Sequence, residues 1–63
     1  MEFKDKLKYV RGVLLISQSN LANLLNISFC TVNRLENGKN QPSFITQQKF
    51  NNLLIQESII IKE

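Results

Sequence analysis

The chain has no histidine and a single cysteine, Cys30. Without histidine, neither a Ser–His–Asp triad nor an imidazole general base can be assembled, which removes most hydrolase designs. One cysteine cannot close an intramolecular disulfide, and the usual Cys/His metal constellations are out of reach, so no metal or cofactor is expected. Long apolar runs are missing too. Val13 to Ile16 and Ile59 to Ile61 fall far short of the ~20 residues that span a bilayer. No secretory apolar region follows Met1, and the sequence reads as soluble and cytoplasmic with no membrane partner. Gly12, Gly38 and Pro42 are the only glycines and proline. What is present is an ordinary globular composition, 43% hydrophobic and 21% charged over 63 residues, enough for one small domain. Eight Lys and Arg against five Asp and Glu leave a net +3, a mild bias toward an anionic partner.

Helical patterns fill the spaces between these few breakers. Phe3, Leu7, Val10 and Leu14 recur at i, i+4, i+7 and i+11, which lays an apolar stripe along one helix and leaves Lys4, Lys6 and Lys8 mainly on its wetter sides. Ser17 is placed to cap a second helix over about Gln18 to Leu25, with Leu21, Ala22 and Leu25 inward. Asn26, which tolerates left-handed backbone, is its stop. Ser28 caps a third helix over about Phe29 to Glu36, with Val32 and Leu35 inward, and Asn37-Gly38 ends it. A fourth helix has two starts. With Ser43 as cap it begins at Phe44. With Thr46 as cap, Ile45 and Phe50 take the spacing of a hydrophobic staple. The second is preferred, giving a helix over about Thr46 to Gln56 with Phe50, Leu53 and Leu54 inward. Ser58 to Lys62 is β-branched-rich and fits either a short strand or more helix.

Two short helices joined by Asn26-Ile27-Ser28 have the form of a helix-turn-helix over about residues 18–36. Ser17-Gln18-Ser-Asn-Leu21-Ala22, the Asn26-Ile27-Ser28 turn, Val32-Asn33-Arg34-Leu35-Glu36-Asn37-Gly38-Lys39 and Pro42 together resemble the phage repressor and Cro-like helix-turn-helix family. The resemblance covers about Leu7 to Leu54. It departs from the family pattern at Asn26, where Gly is usual, and at Gln47 and Asn51, where apolar or small residues are usual. It implies an all-α fold, a compact four- to five-helix bundle of the lambda-repressor-like DNA-binding type, filling residues 1–63 as one domain. It also implies a sequence-specific transcriptional regulator that binds double-stranded DNA as a homodimer.

Helix geometry and the family pattern agree on which residues would meet DNA. Phe29, Cys30, Asn33 and Arg34 occupy exposed positions of the third helix and are the expected base readers. Arg34 leads, because its guanidinium can make two hydrogen bonds to guanine O6 and N7. A phosphate clamp is its alternative role, and a lid over the core beside Ile27 is the alternative for Phe29. Gln18, Ser28, Thr31, Asn37, Gly38, Lys39 and Asn40 are the expected phosphate contacts, with Ser28 first a cap. Arg11 and Glu36 correspond to family positions that form an ion pair between the first and third helices, a structural role.

Leu54, Ile55, Ile59, Ile60 and Ile61 carry more apolar surface than so small a core can absorb, so residues 53–63 are the expected dimerisation segment. The leading reading is a small repressor on an inverted-repeat operator, blocking polymerase, with activation through a polymerase contact as a variant. A second reading is a protein-interaction module of the same fold, antitoxin-like or a repressor antagonist, anchored by Phe29 and the isoleucines. Catalysis is not expected of a chain with so few reactive groups.

Overall fold

Spacing of the apolar residues dictates the first helix. Phe3, Leu7, Val10 and Leu14 share one face of α1, Phe3–Leu14, where Leu7 and Val10 are fully buried. The structure is a computed structural model that describes residues 1–61. It contains three further helices, α2 at Gln18–Leu25, α3 at Phe29–Glu36 and α4 at Phe44–Gln56, and no strand among the described residues. α3 packs on both α1 and α2, and α4 packs on α2. Between them lie Leu7, Val10, Leu21, Ala22, Leu25, Val32, Leu35, Phe50 and Leu53. Phe3 meets Phe50 edge-on with ring centroids 5.0 Å apart, a favoured aromatic geometry. No helix among the described residues is long and apolar enough to cross a membrane.

Serine caps begin three of the helices. Ser17 Oγ accepts the Asn20 N–H, Ser28 Oγ the Thr31 N–H, and Ser43 Oγ the Thr46 N–H, each at 3.1 Å. The last corrects the preferred Thr46 start of α4. Thr46 lies inside the first turn, buried, with its hydroxyl 3.0 Å from Ser43 Oγ. Ile45 points outward, so no staple to Phe50 forms, and Phe50 is held by Phe3 instead. Gln47 and Asn51 face solvent, which explains why neither is apolar.

All four helices stop in one way. Leu15, Asn26, Gly38 and Ser58 adopt left-handed backbone with φ of 56°, 56°, 73° and 55°. The next residue then donates its N–H to the carbonyl five back: Ile16 to Arg11, Ile27 to Ala22, Lys39 to Arg34 and Ile59 to Leu54. This termination satisfies carbonyls that the helix leaves open. Ile16, Ile27 and Ile59 fold back onto the core as they do so. Ser58 therefore ends α4, and residues 59–61 are irregular instead of strand or helix. Lys62 and Glu63 lie outside the described residues.

Leu15 bears a Cβ where glycine is at ease, at 89% exposure. Left-handed backbone disfavours L-residues by ~1–2 kcal/mol, and part of the gain on relief is lost to the greater freedom of glycine in the unfolded chain. Leu15→Gly is expected to stabilise by about 1 kcal/mol, raising Tm by ~4–8 °C in a thermal melt followed by circular dichroism.

Candidate functional site

Three buried residues fix how α3 sits. Val32, Leu35 and Glu36 face inward, so at ~100° per residue the opposite direction falls to Cys30 and Arg34. Both are exposed, with Asn33 and Thr31 half-buried on the flanks and Phe29 half-exposed at the helix start. Phe29 keeps 48% of its surface exposed, and the rest is covered by its neighbours. Ala22 of α2 is almost wholly buried, and α2 packs on α3.

Glu36 is the one charged side chain in that inward set, only 2% exposed. It is met by Arg11 through two hydrogen bonds, Nε to Oε2 at 2.7 Å and Nη2 to Oε1 at 2.8 Å, with Arg11 28% exposed. The planar fork suits a carboxylate better than a point charge does. The Glu36 hydrogen bonds raise the Arg11 pKa above its ordinary value, burial opposes them, and the attraction of the two charges adds to the rise. Arg11 is thus charged at any accessible pH.

The pair continues as a chain of amides. Gln18 Nε2 donates to Glu36 Oε1 at 3.3 Å, Asn33 Nδ2 donates to Gln18 Oε1 at 3.2 Å, and Asn37 Nδ2 donates to Asn33 Oδ1 at 3.2 Å. Gln18 and Asn33, placed by sequence on phosphate and base, are thereby members of an internal network. Each keeps one N–H and one lone pair for a ligand, with the orientation of its amide set from inside. No buried side-chain polar atom among the described residues lacks a partner.

The remaining expected contacts fall into two groups around α3. Ser28 and Thr31 share a hydrogen bond of 2.7 Å between their hydroxyls at the start of α3. Asn37, Gly38, Lys39 and Asn40 are all exposed at its other end. Sequence reasoning missed Lys4. A Cβ built on Gly38 would lie 3.3 Å from Lys4 Cδ and 3.7 Å from its Nζ. Lys4 and Lys39 therefore bracket the loop with cations supplied from α1 and from the loop itself, and Lys4 also pairs with Glu2 at 3.5 Å. The adjoining depression is small, about 100 Å³, and is lined by Glu2, Lys4, Gly38 and Asn40 among others. No linear pattern marks Lys4, because its approach depends on how α1 crosses α3.

The five expected dimer residues do not form one patch. Leu54, Ile59 and Ile61 pack against the core, and only Ile55 and Ile60 remain exposed. The core absorbs more than residue counting suggests, because the Ser58 turn folds the chain end back over Leu54. Among the described residues no group of three His, Cys, Asp or Glu side chains is placed to hold a metal.

No protein-family model, curated protein or solved structure matches the chain.

Removing one partner of a buried pair leaves the other charge uncompensated, at ~3–5 kcal/mol. A chain of this size has a total stability of only about 3–9 kcal/mol. Arg11→Ala is expected to lower Tm by at least ~12 °C in a thermal melt. Glu36→Ala is expected to lower it less, because the Arg11 it strands is 28% exposed and can turn its head to solvent.

Proposed function

We propose that this chain is a sequence-specific DNA-binding transcriptional regulator of the phage repressor and Cro-like helix-turn-helix type, with α2 and α3 as the motif. The observation that carries the reading is the exposed face of α3, centred on Cys30 and Arg34 and fixed from behind by core packing and the Glu36 network. A helix presented in this way fits the major groove, which admits one α-helix. Arg34 reads a guanine through its fork. Cys30, beside it, is small and uncharged enough to let the helix seat deeply, and Phe29 meets thymine methyls at the groove wall. The N-terminus of α2, the Ser28 and Thr31 hydroxyls, and the 37–40 loop with Lys39 and Lys4 hold the flanking phosphates.

Two copies on an inverted repeat would place their α3 helices about one helical turn apart, ~34 Å. The plainest consequence is repression by occluding polymerase. The alternative, a protein-interaction module of the same fold, draws on the half-exposed Phe29 and the uncharged Cys30 beside it.

Selection from a random duplex pool tests the reading. A two-fold symmetric site with half-sites one turn apart is expected; no enrichment, with binding indifferent to salt, would leave the interaction module. On the selected site, Arg34→Ala is expected to weaken binding ~5- to 150-fold and to relax preference at one base pair. Lys39→Ala is expected to weaken all sequences alike and lower the salt slope by about one ion.

A further inference from the structure

The nucleic-acid reading leaves the outer face of α4 unused. Within α4 one residue carries a formal charge, Lys49, and its Nζ donates to the Asn26 carbonyl at 3.3 Å. The outward face is uncharged from end to end. Phe44 is 73% and Ile55 77% exposed, with Gln48 and Asn51 exposed between them. At ~100° per residue these four fall within an arc of about 60°, opposite the buried Thr46, Phe50 and Leu53. They recur at i, i+4, i+7 and i+11, the alternation that makes the seam of a two-helix coiled coil.

The stripe is also palindromic. Phe44 and Ile55 lie equally far from the Lys49–Phe50 peptide, and so do Gln48 and Asn51. We propose that the outer face of α4 takes a second copy of this chain, the two α4 helices running antiparallel across a two-fold axis near the Lys49–Phe50 peptide. Phe44 then packs on Ile55 of the second copy and Gln48 meets its Asn51, and the symmetry repeats both contacts.

Self-complementarity selects this occupant, since each end of the stripe finds its partner in the other end on a second copy. Two copies each carrying +3 repel; α4 itself sets no charge in the stripe, although Lys6 lines a depression with Gln47 and Asn51 at its edge. The central amides fix direction and register. They pair with each other in the antiparallel arrangement, and a slide along the seam sets them against Phe44 or Ile55 with their hydrogen bonds unmade. The stripe is ~16 Å long, short of the ~800 Å² per partner of a standard interface, so association is weak and rises with concentration. The expected C-terminal surface competes poorly, because Ile59 and Ile61 are already packed on their own core. The inference rests on the two-copy part of the reading above and on no property of nucleic acid.

Sedimentation equilibrium without DNA tests it. The native chain is expected to show a reversible monomer–dimer equilibrium. Gln48→Lys with Asn51→Lys is expected to weaken association about tenfold or more by facing ammonium groups across the axis. Gln48→Glu with Asn51→Lys is expected to restore it, since the antiparallel pairing sets each new carboxylate against a new ammonium, whereas a parallel one sets like on like. All the altered positions are exposed, and circular dichroism checks that the helices persist. A native chain that stays monomeric up to the concentration of an NMR sample overturns the proposal. So does a dimer indifferent to the two lysines, or one that only Ile60→Lys disrupts. Failure to bind any DNA while these results hold removes the regulator reading and leaves this inference standing.

Discussion

A carboxylate shut inside a domain this small is the constraint on which the rest of the structure depends. Glu36 ends α3 facing the interior, where an unpaired charge is strongly unfavourable. Its oxygens take three donors, two from Arg11 on α1 and one from Gln18 on α2. Those bonds can form together only when α1, α2 and the end of α3 are in their native places. A hydrophobic contact is satisfied by many arrangements; a forked guanidinium on a carboxylate is satisfied by few. In this account the ion pair specifies orientation more than it adds stability, since a well-packed apolar pair of the same size can be as stable. The stiffness it gives is delivered to α3, the helix whose outer face carries the exposed Cys30 and Arg34.

The same economy governs the chain turns. A domain with two glycines cannot end every helix on one, and only α3 does. Asn26 is the mildest substitute, since its side chain accepts left-handed backbone readily. Leu15 and Ser58 adopt that backbone because the following isoleucine gains burial once the turn is made. Packing of Ile16 and Ile59 therefore offsets local strain, and propensity is overridden by the residue that comes next.

Much of this was legible in the sequence, for identifiable reasons. The α1 stripe, the Ser17 and Ser28 caps, the Asn26 stop and the bounds of α2 and α3 follow from local chemistry that little else competes with. The start of α4 was misread because the Ile45–Phe50 spacing suggested a staple. Ser43-x-x-Thr46 repeats the pattern of Ser28-x-x-Thr31, and weighing the two segments equally finds the right cap. The fate of Leu54, Ile59 and Ile61 was hidden because it depends on Ser58 taking a conformation that serine rarely takes. The Gln18–Asn33 link and the approach of Lys4 to Gly38 join residues far apart in sequence, so no local pattern holds them. For the candidate site, the residue types were legible and their internal commitments were not.

Amide chemical-shift mapping during titration with a short duplex asks whether the outer face of α3, held from behind by the Glu36 network, is the surface that meets a ligand. The largest shifts are expected on Cys30, Arg34 and Lys39, with Gln18 and Asn33 moving less and Leu7 and Val10 staying in place. Shifts confined to α4 and the C-terminal segment, or none at saturating duplex, would contradict the proposed role of that face.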